Sequence, residues 1–273
     1  MKQVTSYEEF VPMLSAQLRR GVIANAPVSA EQWRREIAHG TLWVRQWDSG
    51  LLLLRRREGF DRLTFYLHAL SLPDDLTWDH PVVLEIAARP RDTALLQAVD
   101  FWRGQGFQEQ FQRERLTLPA GIRVPSGNGP LTARLAVPED QPEIMGILVR
   151  NFPALTGCLP TADELAQDLQ VGNVVCTAAP DGVVAGVLHI TPGRPATQLR
   201  HLAVDKAYRR QGGAQGLLAC YLEHTNFAKS QVWVRTDNRP ARQFYETNGY
   251  TADGWRSTVL YRPNSEAGTE KRI

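Results

Sequence analysis

The 273-residue sequence predicts a mixed α/β fold built twice, each copy a mostly antiparallel twisted sheet flanked by helices. Three observations carry that expectation. Strand-like runs closed by tight turns occur at matching places in the two halves. Each half then closes with a Phe-aromatic-x-x-x-Gly-aromatic box followed by a strand. A Gly- and Pro-rich stretch separates the halves.

In the first half, Trp43-Val44-Arg45-Gln46-Trp47 and Leu51-Leu52-Leu53-Leu54 flank Asp48-Ser49-Gly50, which reads as a hairpin. The Arg55-Arg56-Arg57 run that follows reads as a solvated strand end. The box is Phe101-Trp102-Arg103-Gly104-Gln105-Gly106-Phe107, and Arg115-Leu116-Thr117-Leu118 is the strand after it. Residues 119–130, which include Pro119, Gly121, Pro125, Gly127, Gly129 and Pro130, are the linker.

The second half repeats the order. Val174-Val175-Cys176-Thr177 and Val183-Val184-Ala185-Gly186-Val187 flank Pro180-Asp181-Gly182. Next come a strand, Thr197 to Val204, and a basic glycine-bearing loop, Arg209-Arg210-Gln211-Gly212-Gly213-Ala214. The loop enters a helix in which Ala214, Leu217, Leu218 and Tyr221 fall on one face. A strand, Gln231 to Arg235, leads to a second helix, with Asn238 as its N-cap, Pro240 in its first turn and Gly249 as its left-handed end. Here the box is Phe244-Tyr245-Glu246-Thr247-Asn248-Gly249-Tyr250, and Thr258 to Tyr261 is the closing strand.

The offsets locate a difference between the copies. Gly50 and Gly182 are 132 positions apart, whereas Gly106 and Gly249 are 143 apart, so the second copy holds 11 more residues between hairpin and box. That is about three helical turns. The shortfall falls on Ala69 to His80, which has no glycine or arginine and carries Asp74, Asp75 and Asp79. The expected layout is 1–118 for the first domain, 119–130 for the linker, 131–263 for the second domain and 264–273 for a disordered polar tail.

The strand–loop–helix unit of the second half has the chemistry of a diphosphate site. Glycines allow close backbone approach, the first N–H groups of the helix lack intrahelical partners, and the helix dipole favours an anion. The loop is neither a Walker loop nor a dinucleotide fingerprint. It fits Gln/Arg-x-x-Gly-x-Gly/Ala through Arg209, Gly212 and Ala214.

Together, "LAVDKAYRRQGGA" and "NRPARQFYETNGY" resemble the acetyl-CoA motif and the following Asn-x-x-Ala-x-x-Phe-Tyr-x-x-x-Gly-aromatic motif of the GNAT acyltransferase superfamily. The resemblance covers roughly Leu131 to Arg262. It implies an acetyl-CoA-dependent N-acetyltransferase with tandem GNAT-like domains. By the same resemblance, Leu202, Ala203 and Val204 pair with the pantetheine arm and supply an oxyanion N–H. Arg209, Arg210, Gln211, Gly212, Gly213, Ala214 and Gln215 cradle the diphosphate. Asn238 bonds the cofactor arm, Arg242 reaches toward its phosphates or adenosine, and Tyr245 is the general acid. The first domain, lacking the loop and carrying Trp102 where the second has Tyr245, reads as a degenerate copy that shapes the acceptor pocket or forms a dimer surface.

An attacking amine must be neutral, and a lysine-like amine is so in roughly one molecule in 2,500 at pH 7, so a base is needed. Gln198 stands where relatives carry a glutamate. The remaining candidates are His201, whose orientation depends on whether the strand carries a bulge, a water chain, Asp163 and Glu164. His189 and His224 read as structural or surface groups. The acceptor segment is expected around Arg150 to Gln170, and a small-molecule amine is the first expectation for the acceptor. A protein N-terminus or lysine, a non-catalytic acyl-CoA-binding module and an interaction protein that kept only the fold are the alternatives.

A net charge of +2 gives no general case for nucleic acid or membrane partners. Cys158, Cys176 and Cys220, odd in number and scattered, read as reduced thiols of a cytoplasmic protein. The sequence offers no signal-peptide pattern, no metal-ligand spacing and no apolar run long enough to span a bilayer. A homodimer is compatible with all of this.

Overall fold

The structure, a computed structural model, describes residues 1–25 and 29–264. The polar tail expected over 264–273 therefore lies, from residue 265 onward, outside the described residues. In chain order the elements are β1 (Lys2–Gln3), α1 (Tyr7–Gln17), β2 (Ile23–Ala24), α2 (Ala30–Ala38), β3 (Leu42–Trp47), β4 (Gly50–Arg57), β5 (Phe60–Leu67), β6 (Val82–Ala88), α3 (Thr93–Gly104) and β7 (Gln108–Leu118). The second set is β8 (Thr132–Leu135), α4 (Gln141–Asn151), α5 (Ala162–Gln170), β9 (Val174–Ala178), β10 (Val184–Thr191), β11 (Thr197–Val204), α6 (Gly213–His224), β12 (Ser230–Arg235), α7 (Arg239–Thr247) and β13 (Thr251–Arg262).

The chain forms two compact units. One holds residues 1–113 together with the chain from Gly254 onward, and the other holds 114–253. The first unit thus takes its last strand from beyond the second's sequence, while the second is continuous. In the first, β13 pairs antiparallel with β6, from Arg256 opposite Ala88 to Arg262 opposite Val82. In the second, the end of β7 lies beside β12.

The first unit orders its sheet β1-β3-β4-β5-β6-β13, antiparallel except where β5 runs parallel to β6. Period-2 alternation splits its aliphatic strand between two cores. Leu51 and Leu53 of β4 pack with Phe10 and Trp33 of the first two helices, while Leu52 and Leu54 pack with Ala98 and Trp102 of α3. At the far end of β4, Arg57 is ion-paired with buried Glu36, and Arg56 pairs with Asp61 and lies over Trp43. This corrects the expectation of a solvated arginine run. The stems are half-buried because they continue a strand covered on both faces, and the charges are matched by carboxylates.

The second unit orders its sheet β8-β9-β10-β11-β12-β7, with β11 parallel to β12. Its two cores divide in the same way. Ile144, Ile147, Leu148 and Leu165 of α4 and α5 meet Val174, Cys176, Val187 and Ala203. Leu217, Leu218, Tyr221 and Tyr245 of α6 and α7 meet Val175, Leu188, Leu199 and Val232 on the other face. The copies also share a local geometry. Trp102 meets Phe107 edge-on at 5.1 Å, and Tyr245 meets Tyr250 edge-on at 5.2 Å. Gly106 and Gly249, each before the second aromatic, both have φ of +85°, a conformation that costs glycine nothing.

Among the described residues, no helix lies between β5 and β6, whereas α6 lies between β11 and β12. Leu70, Leu72, Leu76 and Trp78 cover that part of the first core instead. No helix is long and apolar enough to cross a membrane, and no group of His, Cys, Asp and Glu could hold a metal ion, both among the described residues.

Candidate functional site

The site begins where two parallel strands part. The β11–β12 ladder runs only from Thr197 opposite Ser230 to Leu199 opposite Val232. From Arg200 to Val204 the edge of β11 on that side gains no partner from β12. On its other edge β11 pairs with β10, and the register jumps there. His189 faces His201, yet Ile190 faces Leu199, so Arg200 is an extra residue in β11. This bulge reverses the parity of the strand. Leu199 and Leu202, three apart, both face the α6 core, and Ala203 joins the α4–α5 core. Buried His201 meets Phe152, which ends α4, edge-on at 4.8 Å.

The loop that follows is held by its own side chains. Asp205 caps the short 3-10 turn Lys206–Tyr208 and pairs with Arg150 at 2.5 Å. The Arg209 guanidinium donates to the Val204 carbonyl at 3.1 Å and to Asn151 Oδ1 at 2.9 Å. Arg209 thus ties the loop to the ends of β11 and α4. Arg210 is exposed with φ of +64°, and Gly212, with φ of +77°, is the N-cap of α6. A non-glycine residue held in the left-handed region costs of order 1–3 kcal/mol, so the surroundings must impose this turn. Gly213 is buried, and a Cβ there would lie 2.8 Å from Leu131.

The linker supplies part of that surrounding. A Cβ at Gly129 would lie 2.0 Å from the Gln211 carbonyl oxygen, and one at Gly127 would lie 2.3 Å from that of Gly212. Gln215 donates to the Pro125 carbonyl at 2.8 Å and to Asn248 Oδ1 at 2.7 Å. Peptide groups are planar and trans. With the linker against the Gln211 and Gly212 carbonyls, the N–H groups of Gly212 and Gly213 point to the opposite side. The linker therefore braces the loop from its carbonyl face.

At α7, Asn238 Oδ1 accepts from the Ala241 N–H at 3.2 Å as the expected N-cap, and Arg242 is paired with Glu246 and Glu114. Tyr245 is buried, and burial together with nearby Tyr221 pushes its hydroxyl well above the ordinary phenol range. It stays protonated across physiological pH.

Below β11 lies a group of which sequence reasoning named only His201, as a candidate base. His189 Nε2 is 2.8 Å from Asp168 Oδ2, His189 Nδ1 is 3.4 Å from His201 Nδ1, and His201 Nε2 is 2.7 Å from the Gly157 carbonyl. Burial works against the Asp168 carboxylate, but hydrogen bonds from His189 and Asn173 hold it below the usual range. Burial also depresses His189, against the pull of Asp168. No spacing signals this set, because 21 residues separate Asp168 from His189 and 44 separate Gly157 from His201. Gln198, in the strand position where a base was sought, donates to the Leu199 and Gln231 carbonyls.

Residues 172–252 match the family model of the acetyltransferase (GNAT) domain. This stretch is thus similar to a GNAT domain. It contains the strand, loop and helix just described, together with α7. Solved structures extend the likeness of fold to nearly the whole chain. An acetyltransferase of the GNAT family from Colwellia psychrerythraea is 12% identical, with 96% of this chain and 99% of that one covered, at a TM-score of 0.58. A GCN5-related N-acetyltransferase from Sphaerobacter thermophilus is 15% identical, covering 90% and 98%, at 0.57. A tandem GNAT protein from the clavulanic acid biosynthesis pathway is 13% identical, covering 98% and 96%, at 0.56. No curated protein matches the sequence.

The first unit has the same parting of strands and closes it. The β5–β6 ladder runs only from Asp61 opposite Val82 to Leu63 opposite Leu84. Asn25 then bridges the gap. It donates to the Leu63 and Glu85 carbonyls at 3.1 and 3.0 Å and accepts from the Phe65 N–H at 2.8 Å. Beyond it, β2 pairs with β5 through Ile23 opposite Leu67 and Ala24 opposite Tyr66. In the second unit, among the described residues, no strand takes that place beside β11.

Proposed function

We propose that the chain is an N-acetyltransferase that moves an acetyl group from acetyl-CoA to a primary amine of a small molecule, with one working site, in its second unit. The single observation that carries this reading is the contrast between the two partings. Beside β11 the strand edge leads directly into the left-handed loop and the α6 N-terminus, whereas beside β5 the chain's own Asn25 and β2 occupy the edge.

The residues fit the cofactor. The turn at Arg210 and Gly212 directs N–H groups away from the linker, and the α6 dipole and Arg210 favour a diphosphate there. Leu202, Ala203 and Val204 would offer main-chain groups to the pantetheine amides and an N–H to the thioester oxygen. Gln211, Gly213, Ala214 and Gln215 complete the cradle. Arg209 contributes by fixing the loop, while Asn238 and Arg242 stand at the α7 end. Acetyl-CoA, when bound, supplies the activated thioester. Tyr245 holds a proton at its hydroxyl for the departing thiolate, whose conjugate thiol has a pKa of about 8.5 in the cysteine-like case.

Calorimetric titration with acetyl-CoA tests the reading. One equivalent bound per chain, lost in Gly212→Glu, is expected, and Tyr245→Phe should keep binding while thiol release falls roughly a hundredfold. Binding with no turnover for any amine would favour a non-catalytic acyl-CoA-binding module. Absence of binding would remove acetyl transfer altogether.

A further inference from the structure

The two partings correspond residue by residue. At the foot of each, the first strand donates to the chain entering the second: Asp61 N–H to the Pro81 carbonyl at 2.8 Å, and Thr197 N–H to the Lys229 carbonyl at 2.9 Å. Each ladder ends two residues later, at Leu63 opposite Leu84 and at Leu199 opposite Val232. Glu85 and Trp233, the next residues on the second strands, are therefore equivalent. On the first strands the β11 bulge adds one residue, so Phe65 corresponds to Leu202, and each faces the core under α3 or α6 respectively.

Main-chain direction agrees with this alignment. Thr197 N–H points toward β12, whereas Asp205 N–H points toward β10 and the Ala185 carbonyl at 2.8 Å. Direction alternates along a strand. Leu199 therefore turns with Thr197, and Ala203 turns with Asp205, which leaves Leu202 and Val204 with their N–H and C=O groups turned into the parting. On β12, Gln231 turns its carbonyl toward β11, where it accepts from Gln198 Nε2 at 3.2 Å. Trp233, two residues on, turns the same way.

The group inside the first unit's parting is a carboxamide. Asn25 Oδ1 accepts from the Phe65 N–H at 2.8 Å, and Nδ2 donates to the Leu63 and Glu85 carbonyls at 3.1 and 3.0 Å. An acetyl group joined to an amine nitrogen is also a carboxamide. The strand edges of the first unit thus hold, from their own chain, the O–C–N arrangement that acetyl transfer creates.

We propose that the second unit receives its acceptor in that arrangement, with the thioester oxygen on the Leu202 N–H and the attacking nitrogen against the main-chain carbonyls of Leu199 and Trp233. The inference rests on the acetyl-transfer reading and adds the groups that hold the nitrogen, and with them a reason for a primary amine. A neutral primary amine has two N–H groups and one lone pair. The two carbonyls take the hydrogens, and the lone pair is left for the thioester carbon. A secondary amine leaves one carbonyl without a donor, and an ammonium ion has no lone pair. The Leu199 carbonyl also accepts from Gln198 Nε2 at 3.2 Å, so the amine uses its second lone pair. In the transfer, the amine lone pair forms the C–N bond and the C–S bond breaks with its electron pair going to sulfur. Nitrogen gives one proton to solvent, and sulfur takes the Tyr245 proton, which solvent restores.

Two measurements on the full chain test this with probes small enough for any acceptor pocket. At equal concentrations of free base, thiol release from acetyl-CoA should be roughly tenfold faster, or more, with methylamine than with dimethylamine, because the second leaves a buried carbonyl dry. Acetamide, the carboxamide that acetylation of ammonia yields, should be seen by NMR of the CoA complex to shift the Leu202 amide and the Leu199 and Trp233 carbonyl carbons. The Phe65 amide, already satisfied by Asn25, should not move. Equal rates with the two amines overturn the inference. So does acetamide that leaves Leu202 and Trp233 unmoved at molar concentration. A chain that binds acetyl-CoA and acetylates neither amine also overturns it, while cofactor binding stands. A chain that binds no acetyl-CoA overturns the acetyl-transfer reading itself, and the inference with it.

Discussion

The side-chain amide of Asn25 donates to the main-chain carbonyl of Glu85 at 3.0 Å, across the gap where β5 and β6 part. With its bonds to Leu63 and Phe65, this one buried residue does the work of a strand's worth of ladder. Asn25→Ala leaves two carbonyls and one N–H without this partner. At about 1 kcal/mol for each hydrogen bond, with more where the group stays dry, the loss should be about 2–4 kcal/mol. Urea unfolding followed by tryptophan fluorescence measures it. A loss below about 0.5 kcal/mol would mean that water substitutes freely, and that the gap is not sealed.

Glu36 gives a pH signature. Burial disfavours its carboxylate, but hydrogen bonds from Arg57 and Thr41 and the charges of Arg57 and Arg55 outweigh that and hold it below its ordinary value. A depressed carboxylate adds stability that is present above its unfolded-state pKa and is lost as pH falls through the folded one. Glu36→Gln should therefore cost about 3 kcal/mol at pH 7, since Arg57 is left with an uncharged partner. The difference from wild type should shrink as pH falls below about 4. Chemical unfolding at pH 7, 5 and 3 gives the comparison. A constant difference across that range would assign the effect to packing.

The linker's hold on the Arg209–Ala214 loop rests on two missing side chains. Neither Gly127 nor Gly129 has a positive φ, so alanine is compatible with the backbone of either. The added methyl of Gly129→Ala would still strike the Gln211 carbonyl, and the linker must shift. Overpacking of this kind costs about 1–3 kcal/mol. Amide exchange at Gln211, Gly212 and Gly213 should speed up while exchange in the core of α6 does not. Unaltered exchange in the loop would show that the brace is dispensable.

The thiols differ in reactivity. Burial, then the nearby Asp140 carboxylate, pushes the Cys176 thiol up to about 12, so its thiolate is scarce at neutral pH. Cys158 and Cys220 are half-buried. Ellman's reagent on the native protein should leave Cys176 unreacted until unfolding, which mass spectrometry of the labelled peptides would verify. Rapid native labelling of Cys176 would mean that the α4–α5 core opens readily.

Much of the second unit was legible because its signals are local. Asn238 caps α7, Gly249 and Gly182 take positive φ, and β11 spans the expected Thr197 to Val204. The matching hairpins and the missing helix of the first half also appear as read. Each depends on the conformational preference of one or two residues, or on a period seen within about ten positions. The sequence left the orientation of His201 open because a single inserted residue in β11 reverses it. Nothing within either local stretch links Asp168 to His189.

By itself, then, the sequence determined the kind and order of the elements, the glycine-dependent turns and the loop chemistry at the start of α6. Only the tertiary structure decided that β13 joins β6, that Asn25 and β2 fill the gap beside β5, that the linker lies on the Gln211 and Gly212 carbonyls, and that the His189 and His201 Nδ1 atoms come within 3.4 Å of each other. The reason is physical. A turn is chosen by the torsional energy of its own residues, whereas a strand edge, a buried carbonyl or an imidazole nitrogen takes whichever partner packing brings within about 3 Å, however far away in sequence that partner lies.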